Sequence, residues 1–227
     1  MTIEFDHFFI FTGMNAPEAD AALDLGLREG SSNVHPGQGT ANRRIFFHNA
    51  MLEFLWVHDE EEVRSERIAP SRLWERSQHK KSGYSPFGVA FRSTTEPGDS
   101  TPLKLPFDAW PFRPPYLPDH LHIDVAQNDA YPSEPMLFTI PFGSRPDAAP
   151  PDRRQPLDHP LGLTEITAVN ITVSHAASLS PATQAVAKLG LIAFETGPAH
   201  LAEIVFDDGQ QGQSTDFRPA LPLIFRW

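Results

Sequence analysis

The chain has 227 residues, 18 of them Lys or Arg and 29 Asp or Glu, for a formal charge of −11 at pH 7. That balance argues against a nucleic-acid or anionic-membrane surface built on clustered cations, and the lack of cysteine removes disulfides, thiol nucleophiles and Cys-ligated metal centres. No apolar run reaches the roughly 20 residues that span a bilayer, and residues 1–6 lack the basic and apolar regions of a secretory leader, so a cytoplasmic globular protein is expected.

Residues 3–12 (IEFDHFFIFT) are dense in aromatic and β-branched side chains and read as a largely buried strand. Asn15, with Pro17 behind it, is a candidate cap for a helix over 16–25 that stops at Gly26. Residues 27–34 are a further strand candidate, and 35–42 (HPGQGTAN) are turn chemistry. Two strands, 43–48 and 51–57, then read as a hairpin joined at Asn49 and Ala50. In the second of them alternation puts Glu53, Leu55 and Val57 on one face, opposite Leu52, Phe54 and Trp56. The order is β-α-β-β-β over about 1–62.

The middle is dominated by proline. Fifteen of the chain's 23 prolines fall between Pro97 and Pro160, yet the same stretch carries Trp110, Phe112, Ile123, Val125, Leu137 and Phe138, which disordered linkers lack. A short helix is expected within 67–78, and strands over 87–92, 117–125 and 135–142. Residues 84–142 thus read either as a further unit whose helix is replaced by a proline-rich loop or as an elaboration on a two-unit fold. Residues 144–156 could be a linker. The C-terminal stretch, 160–227, offers a strand at 163–173, a helix from Ser180 to Gly190, and strands at 191–196, 201–207 and 220–227, again β-α-β-β-β.

Asp6-His7 entering the first strand, followed by HPGQGTANRRIFFHNAMLEFLWV over 35–57, resembles a glyoxalase-like domain of the vicinal oxygen chelate superfamily, which also holds bleomycin-resistance proteins and extradiol dioxygenases. The resemblance implies an α+β fold of βαβββ modules with curved, mostly antiparallel sheets enclosing a cleft. It further implies a divalent metal (Zn, Ni, Mn or Fe) held by a His or Gln on the first strand and a Glu on the fourth strand of paired modules. His7 and Glu53 match those two positions. The partner positions depart from the pattern: Ala168 and Pro222 occupy them if the C-terminal unit is the partner, Gly88 and roughly Leu137 if the middle is. A shifted offset would bring Glu203 in as a third ligand. A superfamily member of this kind is expected to pair as a homodimer, which would also cover exposed sheet edges.

Gln38, Thr40, Asn42, Arg43 and Arg44 form the next polar cluster, with Gly37 and Gly39 allowing a tight backbone around Gln38. Gln38, Thr40, Asn42 and Arg44, with Trp56, are the candidate ligand-binding side chains, an arginine suiting a carboxylate at the pocket mouth. The same cluster also reads as a turn satisfied by its own amides and hydroxyls. His120 and His122 alternate onto one strand face, a weak metal signal, and no G-x-S-x-G elbow is present. Two functions follow as expectations. One is binding of a small apolar or aromatic molecule in a cleft with a degenerate metal site and no certain cofactor. The other is a divalent-metal-dependent lyase, isomerase or dioxygenase that uses His7 and Glu53.

Overall fold

In the first strand, Ile3–Phe11 (β1), alternate side chains enter two separate interiors. Phe8 and Ile10 join the main core, whereas Phe9 and Phe11 join a smaller cluster on the opposite face. The computed structural model describes residues 3–94, 105–190 and 192–227. Met1 and Thr2, the proline-rich stretch over 95–104, and Leu191 at the head of an expected strand lie outside them. Asp20–Asp24 (α1) follows β1, then Asn33–His35 (β2), Thr40–Phe46 (β3) and Met51–Val57 (β4). β4 lies parallel to β1, and β3 joins β4 to β2 in antiparallel register.

Short helices Glu60–Val63 (α2), Leu73–Ser77 (α3) and His79–Ser82 (α4) lead to Phe87–Ser93 (β5). Ala109–Phe112 (β6), Ile123–Ala126 (β7) and Met136–Thr139 (β8) then pair as β5-β8-β7-β6, with β5 parallel to β8. This repeats the β1-β4-β3-β2 order of the first half. The halves meet where β1 and β5 run antiparallel, so the described residues form an eight-stranded sheet, β2-β3-β4-β1-β5-β8-β7-β6.

The C-terminal stretch contains Ile166–Ser174 (β9), Pro181–Ala187 (α5), Ile192–Gly197 (β10), Leu201–Phe206 (β11), Ser214–Asp216 (β12) and Leu223–Arg226 (β13). It keeps the β-α-β order of the first unit but pairs differently, as β10-β9-β11-β13-β12. This second sheet packs on the face of the first that carries Phe8, Phe54, Phe87 and Phe91. Val169, Ile171, Ile204 and Phe206 complete that core, with the Phe47 and Phe206 rings 4.8 Å apart. The fold is α+β, with most strand pairs antiparallel, and among the described residues no helix is long and apolar enough to cross a membrane.

Several local expectations need correction. Asn15 does not cap the first helix: Asn15 and Ala16 both take left-handed backbone, and the Glu18 carboxylate instead accepts the Gly13 N–H. The strand expected over 27–34 shrinks to β2, because the Arg28 and Ser31 amides donate to His159 Nδ1 and Gln155 Oε1 rather than to a ladder. The short helix expected within 67–78 is present as α3, which starts only after Arg72, whose φ is 57°. β6, with Pro111 inside it at the sheet edge, and the three-residue β12 carry too little pattern to be anticipated.

Two glycines position the first half. Gly39 (φ 78°) lets the 36–39 turn press on the start of α2, where a Cβ would meet the Asp59 carbonyl at 2.4 Å. Gly88 pairs with Phe9 across β1 and β5, and a Cβ there would lie 2.0 Å from the Phe9 ring. Gly88→Ala is therefore expected to cost about 1–3 kcal/mol through overpacking and to tilt Phe9. Urea denaturation checks this, and an unchanged midpoint would mean the ring is free to swing aside.

Candidate functional site

Because β strands alternate, the face of the eight-stranded sheet turned away from the main core carries His7, Phe9, Glu53, Leu55, Met136 and Phe138. These side chains line a cleft of about 190 Å³, with Phe112, Tyr116, Leu117 and Ile123 closing its far side. The alternation read in β4 is the one observed: Glu53 and Leu55 face the cleft, while Leu52, Phe54 and Trp56 enter the main core.

The first half supplies the polar wall. His7 and Glu53 come together, His7 Nε2 lying 3.7 Å from Glu53 Oε2 with both residues buried. Glu53 Oε1 accepts a close hydrogen bond from the Asn42 amide. His7 Nδ1 is 2.6 Å from Asp6 Oδ1, and Arg92 holds Asp6 from behind at 3.0 Å while also donating to Glu4 and to the Asn49 carbonyl. Consecutive strand residues normally face opposite ways. Here a bulge in the β1–β5 register between Phe5 and His7 turns Asp6 toward the His7 ring.

Electrostatics follow from this chain of contacts. Burial alone would lower the His7 pKa, but the hydrogen bond to Asp6 and the charges of Asp6 and Glu53 outweigh it and raise it above the usual histidine value. For Asp6, burial is opposed by the His7 and Arg92 contacts, and its pKa falls below the usual carboxylate value. His35, whose ring stacks on Tyr116 and whose Nδ1 meets the Thr40 hydroxyl, is pushed the other way by burial and by the Arg44 and His7 charges. Burial and the Glu53 charge raise the Tyr116 pKa, keeping it a neutral phenol.

Of the other expected site residues, Gln38, Asn42 and Arg44 line the cleft. Thr40 is fully buried behind them and accepts a 2.8 Å hydrogen bond from the Gln38 amide. Trp56 is not in the cleft: it follows Leu52 and Phe54 into the main core. Glu203 is not there either. It sits on β11 in the second sheet, ion-paired to Arg226 at 2.6 Å. Ala168 also belongs to that second sheet, and the wall facing His7 and Glu53 comes from the middle of the chain. There Leu137 points into the main core, so its neighbours Met136 and Phe138 occupy the cleft, a one-residue offset that changes the face. Asp6, His35 and Arg92 are contributors that sequence patterns did not single out for this site. Only Asp6, next to His7, gave any signal.

The donors available to a cation are correspondingly few. His7 Nε2 and Glu53 Oε2 face each other, whereas the opposite wall offers the apolar side chains of Phe112, Ile123, Met136 and Phe138. Among the described residues no three His, Asp or Glu side chains are grouped so as to hold a metal. His122 lies 3.2 Å from Asp124 on β7 and outside the cleft lining.

Two comparisons with known proteins agree with this architecture. The sequence profile described as "Glyoxalase-like domain" matches residues 5–187. A hypothetical protein from Staphylococcus aureus, 12% identical, superposes over 99% of both chains with a TM-score of 0.58. A hypothetical protein from Bacillus halodurans, 13% identical, aligns with 64% of this chain and 98% of its own at a TM-score of 0.39. No curated protein matches the sequence.

Proposed function

The chain belongs to the glyoxalase-like domain family, and from that premise we propose that it binds a small, largely apolar or aromatic molecule in the cleft of its eight-stranded sheet, without a resident catalytic metal. The observation that carries this reading is the division of the cleft. Polar side chains from the first half (His7, Gln38, Asn42, Glu53) face aromatic and aliphatic ones from the second (Phe112, Ile123, Met136, Phe138). Such a cavity suits a ring held by burial and oriented by a few hydrogen bonds. Two neighbouring donors do not fit a divalent ion that takes four or more ligands from paired modules. Glu53 is moreover held by the Asn42 amide.

The test has two arms. Ligand-observed NMR with a library of small aromatic and alicyclic compounds is expected to give hits that share a ring and are lost in Leu117→Trp, which fills the cleft. Elemental analysis of protein purified without chelator is expected to give well under one divalent ion per chain. One equivalent of metal, lost in His7→Ala and Glu53→Gln, would overturn the metal-free reading and favour a metal-dependent lyase, isomerase or dioxygenase.

A further inference from the structure

We propose that the mouth of the cleft is an anion subsite formed by Arg44 and Arg153, so that the ligand is an amphipathic acid whose apolar body lies in the cleft and whose carboxylate or similar anion lies at the mouth. This inference deepens the binding function proposed above and rests on it.

The cleft opens onto a second hollow of about 230 Å³, and the two share Asp6, Arg44, Met51, Ile140 and Phe142. Four guanidinium groups line this outer hollow, those of Arg44, Arg92, Arg145 and Arg153, against a single carboxylate, Asp6. In a chain of net charge −11 that is a local inversion of sign.

Two of the four cations are already matched. Arg92 is paired with Glu4 and Asp6, and Arg145 with Asp147 and Glu165. The charge of Asp6 is in turn shared between Arg92 and His7. Arg44 and Arg153 remain. Among the described residues neither has a carboxylate within ion-pair distance, although Arg44 faces Glu53 in the β3–β4 register. Glu53 turns its carboxylate to Asn42 and His7 instead.

Arg44 is fixed in place before any ligand arrives. Its Nε and Nη2 donate to the Ser31 carbonyl and hydroxyl at 2.8 Å, and its guanidinium lies 5.1 Å from the Phe46 ring centre. A half-buried guanidinium held by neutral oxygens, with Glu53 acting on it only from beyond ion-pair distance, has lost water without gaining a direct ion pair, a condition that favours an incoming anion. The segment carrying Arg153 is tied to the same loop. Gln155 accepts from the Ser31 amide at 2.9 Å and donates to the Arg153 carbonyl at 3.3 Å. Phe142, 58% exposed, stands where the two hollows meet and offers an apolar contact at the junction.

A matched pair of probes tests this: 4-phenylbutyrate and 4-phenylbutan-1-ol, titrated by ligand-observed NMR at pH 7 and low salt. The acid is expected to bind about fivefold tighter than the alcohol or better, the effect of a partly exposed ion pair. Adding NaCl should shrink that ratio, and so should Arg44→Gln and, separately, Arg153→Gln. Arg153 is exposed, so its variant tests the idea even if replacing Arg44 disturbs the 28–32 loop. Equal binding of the two probes, or a ratio that neither substitution changes, overturns the anion subsite and leaves the cleft reading standing. No binding of either probe at millimolar concentration overturns the cleft reading and this inference together.

Discussion

Replacing Glu134 by alanine is expected to lower the melting temperature by about 10 °C, a loss of roughly 3–5 kcal/mol in a chain of this length. Glu134 is fully buried in the connection between β7 and β8, and its carboxylate accepts from four donors. These are the Ser180 amide at 2.5 Å, the Ser180 and Thr183 hydroxyls at 2.6 Å, and the Asn128 amide group at 3.2 Å. Ser180 is the cap of α5, and its hydroxyl also accepts the Thr183 N–H at 3.1 Å. A carboxylate of the first sheet's half thus closes the N-terminus of the helix that belongs to the second sheet, where its charge is favoured.

The backbone of the same residue does further work. The Glu134 carbonyl accepts from Arg76 at 2.8 Å, and Arg76 also donates to the Ser85 carbonyl at the entrance to β5. Arg76 is buried, which pushes its pKa down to about 10. Removing the Glu134 side chain strands several buried donors at once, each costing about 1–3 kcal/mol if water cannot reach it. Glu134→Gln should fall between wild type and alanine, because its NH₂ group would face hydroxyls and amides that need an acceptor. Thermal melts followed by circular dichroism decide the matter, and a shift under 2–3 °C for alanine would show that water replaces the carboxylate.

None of that clamp was legible in the sequence, where Glu134 is one acid in a proline-rich loop. What could be read were features of short range. The period of two in Met51–Val57 placed Glu53 opposite the core, and the aromatic density of Ile3–Phe11 marked the central strand. Ser180 followed by Pro181 marked the start of α5. What could not be read depends on partners far along the chain. Strict alternation sends Asp6 and His7 to opposite faces, and only the pairing with β5 creates the bulge that brings them together. Arg92 reaches Asp6 across 86 residues. LAEIVF has the alternation of a half-buried strand, yet nothing in those six residues says that its sheet faces away from the cleft, so Glu203 reads as a ligand candidate when it is a partner of Arg226. The local pattern shows which face a side chain takes; only the assembled sheet shows what that face looks onto.

Asp6→Asn is expected to move the His7 pKa from above the ordinary 6.5 to below it. In the wild-type protein burial works against the imidazolium, and the Asp6 hydrogen bond and charge are the larger of the forces that reverse it, with Glu53 adding to them. Asparagine keeps the shape and an acceptor for Nδ1–H but removes the charge. Burial and the Arg44 charge then act against Glu53 alone. The linkage changes sign accordingly. With the folded pKa above 6.5, the stability contributed by His7 is fully present below the unfolded value and is lost as pH rises through the folded one. In the variant it is present above 6.5 and lost as pH falls. Ring-proton NMR titration, with His7 assigned through His7→Gln, reads the shift directly, and a His7 pKa in Asp6→Asn equal to or higher than in the wild type would contradict the assignment. Arg92→Met should leave Asp6 with His7 but without its second cation, raising the Asp6 pKa while the bond to His7 persists. The two substitutions therefore separate the roles: Asp6 sets the charge on the ring that faces the cleft, and Arg92 adds to His7 in keeping Asp6 ionised and holds it in place.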